Sequence, residues 1–184
     1  IATDLTPAVV GEALDSLDDA GRLVFLTALD RQAILTLFHR QAGRPCEPAD
    51  FLPAKPGDTL VCEGINSLPF FRRFQKRITA GGEGKPPVGY NHQPMAWLTG
   101  PGYFLVKPSQ QKAGEALFDY TTVPDQAPAG WPAVRPNDSG VSALVYGGMI
   151  DVMRRVSRDL FVGEAWKHGK PSGDYFVLLR PAGR

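Results

Sequence analysis

From residue 103 to residue 180 the chain runs in short apolar–polar alternations separated by clusters of Gly, Pro, Ser and Asp. No other feature narrows the fold so far. Consecutive strands joined by short turns form an antiparallel meander, and a meander of six or more strands curls strongly or closes into a barrel. The runs are "YFLVK" (103–107), "GEALFDYTTV" (114–123), "VSALVY" (141–146), "MIDVMRRV" (149–156), "LFVGEAWK" (160–167) and "DYFVLLR" (174–180). Gly147-Gly148 suits a two-residue primed turn, Ser157-Arg158-Asp159 a second turn and residues 168–173 a third.

The first 43 residues follow a different period. Val9, Val10, Ala13, Leu14 and Leu17 recur at helical spacing behind Thr6-Pro7, an N-cap with proline at the first helical position. A second helix is expected from the Asp18-Asp19 cap through Leu26, Ile34 and Leu37, stopping at Gly43 with Pro45 beyond it. The 184 residues suffice for one domain with a substantial core. The expected class is α+β, with N-terminal helices packed on a strongly curved or closed antiparallel meander. The expected segments are a helical part (1–43), a connector (44–102) and the meander (103–184). "TLVCEG" (59–64) adds a short strand or extended lead-in, and the Gly/Pro-rich 80–89 reads as a loop.

Composition removes several activities. A formal net charge of +1 gives no global field for nucleic acid or anionic lipid. No apolar run approaches the ~20 residues needed to cross a bilayer as a helix, and the cytoplasm is the default expectation. Cys46 and Cys62 read as two separate reduced thiols rather than a disulfide framework. His39, His92 and His168 form no metal-spaced pair, so neither a metal nor another cofactor is expected; haem ligation through His92 is a minor variant. Nucleophile-elbow and phosphate-loop motifs are missing from the sequence.

"SLPFFRRFQKRI" sets three phenylalanines and four cations within residues 70–77. On a helical wheel Phe70, Phe71, Phe74 and Ile78 share an arc about 100° wide, and the cations fall on the opposite arc. An amphipathic helix over 67–79 is therefore expected, its aromatic stripe on the sheet. Its basic face (Arg72, Arg73, Lys76, Arg77) is a candidate for anions or a membrane surface. Through residue 50 there are eight acidic residues against four arginines, so that face also has an internal partner.

Two regions could carry a ligand. With Gly147-Gly148 as a turn, Ile150, Val152, Arg154, Val162, Glu164 and Trp166 share one sheet face. Asp151, Met153, Arg155, Phe161, Gly163 and Ala165 share the other. The first face is aliphatic with a few polar groups, the pattern of a ligand cavity, and Arg154 and Glu164 would lie diagonally within ion-pair reach. "GYNHQPMAWLTGPGYF" (89–104) adds Tyr90, His92 and Trp97 in a loop entering the sheet, and Asp119 and Tyr120 form a weaker site edge.

An N-terminal helical segment feeding a curled meander resembles the calycin barrels, the lipocalin and fatty-acid-binding class. The stretch "ALVYGGMIDVMRRVSRDLFVGEAWKHGKPSGDYFVLLRP" (143–181) is similar to the end of a bacterial lipocalin-like family of unknown function named for a Gly-x-Trp-x-Gly motif. That motif is absent, since "AWLTG" (96–100) has the wrong spacing. The resemblance implies a barrel with an apolar cavity and implies no reaction.

The expected function is binding of an apolar or amphipathic small molecule in the barrel, through Arg154, Glu164, Trp166, His92, Tyr90 and Trp97. One alternative is a cavity enzyme of isomerase or cyclase type, using His92 or a buried carboxylate as proton shuttle. Another is an anion- or membrane-binding module acting through 67–79. Nucleic acid is not an expected partner.

Overall fold

In the computed structural model, residues 7–40, 44–68, 72–94 and 96–181 are described. Eight strands follow one another around a closed antiparallel barrel. They are β1 (Leu60–Asn66), β2 (Arg73–Thr79), β3 (Val88–His92), β4 (Tyr103–Pro108), β5 (Ala116–Asp119), β6 (Met149–Arg155), β7 (Leu160–Lys167) and β8 (Lys170–Leu179). The ring closes where β8 pairs with β1, from Glu63↔Leu179 to Asn66↔Phe176, which leaves no open sheet edge. The expected α+β class with a closed meander is the observed one.

Three helices precede the barrel where two were expected: α1 (Pro7–Ser16), α2 (Asp19–Ala28) and α3 (Arg31–Arg40). Asp18 caps α2 as expected, its Oδ1 accepting from the Gly21 amide at 2.7 Å. The long second helix breaks at Leu29, whose backbone is extended. Asp30 then caps α3 by accepting from the Ala33 amide at 2.7 Å. The cap at Thr6 and the stop at Gly43 lie outside the described residues.

Two further expectations are corrected. The segment 67–79 is not an amphipathic helix: Arg73–Thr79 is β2, paired with β1 and β3. Its wheel segregation coincides with a strand alternation in which Phe74, Lys76 and Ile78 point inward and Arg73, Gln75 and Arg77 outward. One cation at an inward position concealed the period of two. Pro69, Phe70 and Phe71 lie outside the described residues. Likewise 141–146 is not a strand, because Gly140–Tyr146 forms the short helix α5, closed by the Gly147 amide donating to Ala143 O at 3.1 Å. Val141, Leu144 and Val145 satisfy the i, i+3, i+4 spacing as well as they satisfy alternation, so the apolar pattern alone could not choose. Gly148 has φ +62°, and a Cβ there would meet the His168 ring at 2.4 Å, so the glycine leads out of a helix rather than through a hairpin.

The barrel wall is apolar on both sides. Outside β7 and β8, Val162, Tyr175, Val177 and Leu179 pack against Leu26, Ile34 and Phe38 of the helices. An ionic knot holds α2 in place. Arg22 Nη1 lies 3.1 Å from Asp159 Oδ2, and Asp159 Oδ1 accepts from Arg180 at 2.9 Å. Inside, aromatic rings dominate, and three of them lie over glycines. Phe74 pairs across from Gly64, Phe104 from Gly89 and Phe176 from Gly163. A Cβ at these glycines would meet the ring at 2.6, 2.4 and 2.4 Å, so each missing side chain is the space a ring occupies in a narrow barrel. At one end Phe51, from the short 3₁₀ turn Pro48–Phe51, plugs the interior. It sits 4.8 Å from both Phe118 and Phe161 and is fully buried.

Candidate functional site

The other end of the barrel is built differently. β2 places Lys76 inward, one cross-strand position from Asn91 on β3, and β6 places Asp151 inward opposite Ala165 of β7. Tyr120 follows β5, and Tyr146 descends from α5 to stack on it at 5.5 Å with an interplanar angle of 8°. Lys76 and Asp151 are each 2% exposed.

Their hydrogen bonds form one network. Lys76 Nζ donates to Asn91 Oδ1 at 2.9 Å, to Asp151 Oδ2 at 3.1 Å and to the Tyr120 hydroxyl. Tyr120 in turn donates to Asp151 Oδ2 at 3.1 Å and accepts from Asn91 Nδ2 at 3.1 Å. Around Nζ the rings of Phe74, Phe104, Phe118, Tyr120 and Phe176 stand with centroids 4.9–5.6 Å away, a cage that favours a cation.

Desolvation acts on every member of the group. Burial pushes the Lys76 ammonium below its ordinary range, against the pull of the neighbouring Asp151 carboxylate. The same burial raises the Asp151 carboxyl, with Lys76 only partly offsetting it. Tyr120 is raised well above an ordinary phenol by burial and then by Asp151, and Tyr146 is raised by burial. The Lys76–Asp151 pair is thereby driven toward its neutral form, amine beside carboxylic acid.

This network floors an open cleft of about 330 Å³. Its walls include Leu68, Phe74, Val145, Met149 and Phe176, and Lys167, Ser172 and Asp174 also line it. The volume is at the small end of the range for ligand pockets. Chemically, the cleft can receive a small molecule with an apolar body and set its polar end beside an acid, an amine and two phenols.

The residues singled out from sequence lie elsewhere. Arg154, Glu164 and Trp166 do share a face, but it is the outer one, on a groove between α3 and the 107–115 segment. Arg154 pairs with Glu115 at 2.7 Å rather than with Glu164, which accepts from Trp166 Nε1 at 2.9 Å. Tyr90 packs outside the barrel against Trp131, with centroids 4.8 Å apart. His92 is exposed on the outer side of β3, its imidazole held below its ordinary range by desolvation and then by Arg77. Trp97 is 73% exposed on the short helix α4 (Ala96–Thr99).

The four cations do not gather either. Arg72 donates to Leu29 O, Arg73 is exposed, Arg77 reaches Gln75 and Tyr90, and Lys76 is inside. Sequence reasoning placed Asn91 in the 89–104 segment and Asp151 on the second sheet face without drawing either into the ligand set. The available signal was their inward parity: Asp151 shares a face with Met153 and Phe161, and a carboxylate on an interior face needs a reason.

Among the described residues no group of three or more His, Cys, Asp or Glu side chains could hold a metal ion. Cys46 and Cys62 are buried and not in a disulfide, and burial pushes the Cys46 thiol up to about 12. Among the described residues no helix is long and apolar enough to cross a membrane. No family model, curated protein or solved structure matches the chain.

Proposed function

We propose that this protein binds a small amphipathic molecule in the mouth of its barrel, the apolar body against Phe74, Met149 and Phe176 and the polar end on the Lys76–Asp151–Tyr120–Asn91 floor. One observation carries the reading: the lysine and carboxylate at the floor of the open mouth, Lys76 and Asp151, are paired with side chains only 3% exposed, whereas the Arg155–Asp50 pair at the plugged end keeps side chains 27% and 18% exposed. Replacing a buried ion pair by apolar residues is commonly neutral or stabilising by about 1–4 kcal/mol. A pair kept at the floor of a cleft, with both members shifted toward neutrality, is what a binding or reacting site requires and what a packing core does not.

The ligand is bounded by the cleft. A volume of about 330 Å³ admits a molecule of a ring or two, or a short chain, and the plug of Phe51 and Phe118 prevents a long chain from threading the barrel. Native mass spectrometry of the purified protein, paired with titration by anilinonaphthalene sulfonate, tests the reading. A retained small molecule, or single-site fluorescence enhancement that Met149→Trp abolishes, supports it. Absence of both, or enhancement indifferent to that substitution, refutes it.

A further inference from the structure

The Lys76 amine has a more specific use than lining a pocket. We infer that Lys76 Nζ is a covalent attachment point, condensing with the carbonyl of an aldehyde or unhindered ketone held in the cleft to give an imine. The inference rests on the mouth being a ligand site and names the ligand's reactive group.

Three features of the geometry converge on it. Lys76 lines the floor of an open cleft, so a carbonyl compound held between the walls is brought beside its side chain. Asp151 Oδ2, 3.1 Å from Nζ, lies where it can serve the carbonyl oxygen as the carbon approaches the nitrogen. Asn91 Oδ1 and the Tyr120 hydroxyl hold two of the amine's hydrogens, so once Asp151 carries the third proton the lone pair lies on the Asp151 side, and the carbonyl carbon has to enter between Nζ and that carboxyl. Desolvation favours that proton distribution, against the pull of the rings, as it does for lysines that form imines elsewhere in proteins.

The steps balance without a further reagent. The Nζ lone pair forms the N–C bond, and the carbonyl π pair moves to oxygen, which takes the Asp151 proton. The carbinolammonium returns one N–H proton to the Asp151 carboxylate. Asp151 then protonates the hydroxyl, which leaves as water while the remaining nitrogen lone pair forms the C=N bond. The product is a protonated imine beside the Asp151 carboxylate, inside five rings that stabilise a cation. The site thus converts a buried amine–acid pair into a buried iminium–carboxylate pair of the same total charge, which limits the electrostatic cost of attachment.

Trapping tests it. The protein is incubated with cinnamaldehyde, reduced with cyanoborohydride, and read by intact mass and peptide mapping. At limiting aldehyde the adduct is expected chiefly on Lys76, because each unit of pKa depression raises the neutral amine fraction about tenfold at a given pH. A red-shifted absorbance before reduction reports the protonated imine. Asp151→Asn should retain the fold and slow attachment, while Met149→Trp should protect Lys76 and leave exposed lysines labelled as before. Labelling of exposed lysines alone, or Lys76 labelling that Met149→Trp does not change, overturns the inference. If anilinonaphthalene sulfonate binds in the mouth and Lys76 stays unlabelled, attachment fails and the binding site stands. If neither probe engages the mouth, both fail.

Discussion

Replacing Lys76 by methionine keeps the length and apolar volume of the side chain and removes only the ammonium. Three hydrogen bonds go with it, and the Asp151 carboxyl is left buried without a cation, with Tyr120 as its one remaining donor among the network's bonds. Removing one partner of a buried pair costs about 3–5 kcal/mol. For a chain of this size each kcal/mol lowers Tm by about 2–4 °C, so Lys76→Met should melt roughly 10 °C below wild type.

The deficit should depend on pH, with a defined sign. Burial raises the Asp151 carboxyl above its unfolded value, and without Lys76 nothing cationic in the network offsets it. A group raised in the folded state contributes stability that is fully present below its unfolded pKa and is lost as pH rises through the folded one. Lys76→Met should therefore lie closer to wild type at about pH 5 than at about pH 8. Adding Asp151→Asn should recover part of the loss at the higher pH, since the amide needs no counter-charge. Urea unfolding followed by tryptophan fluorescence at both pH values measures all of this. A single variant as stable as wild type at both, or a deficit that grows as pH falls, would refute the buried-pair account.

Other outcomes follow from the same geometry. Gly89→Ala places a methyl 2.4 Å from the Phe104 ring, which is stacked on Phe118 and has little room to move, and should cost about 1–3 kcal/mol by thermal melting. Asp159→Asn weakens the knot with Arg22 and Arg180, so hydrogen exchange should rise first in α2 and the 156–160 turn while the barrel mouth stays protected. The Cys46 thiol, raised to about 12, should not react with a disulfide reagent at about pH 8 until the protein is unfolded.

Sequence made the architecture legible and left the inner face of the sheet undetermined, for one physical reason. The meander from β6 to β8 could be read because short turns fix register, and the partition of β6 and β7 into two faces was correct down to Val152↔Glu164 and Asp151↔Ala165. Which face is inside was not legible. In a barrel covered by helices both sides of the wall are apolar, so the aliphatic face of Val152 and Val162 read as the interior when it is the outer face, packed on the helices and lining the groove beside α3. The true interior is marked by its Gly–Phe pairs, a signal that requires the strand pairing to be known. Lys76 was masked in the same way: the five residues "RRFQK" show helical segregation until the neighbouring strands impose alternation. Asp151 was visible as a lone acid between Ile150 and Val152, and its meaning depended on that same choice of face.

The central claim, that the barrel mouth is a ligand site, is most directly tested at Ala165, which lies beside Asp151 on the neighbouring strand, lines the cleft and can be enlarged without touching the floor's hydrogen bonds. The measurement is the affinity of wild type and Ala165→Trp for anilinonaphthalene sulfonate, with circular dichroism confirming equal folding. An occupied mouth predicts that the tryptophan weakens binding about tenfold or more, a loss of roughly 1.4 kcal/mol or greater. Equal affinity in the two proteins would contradict it.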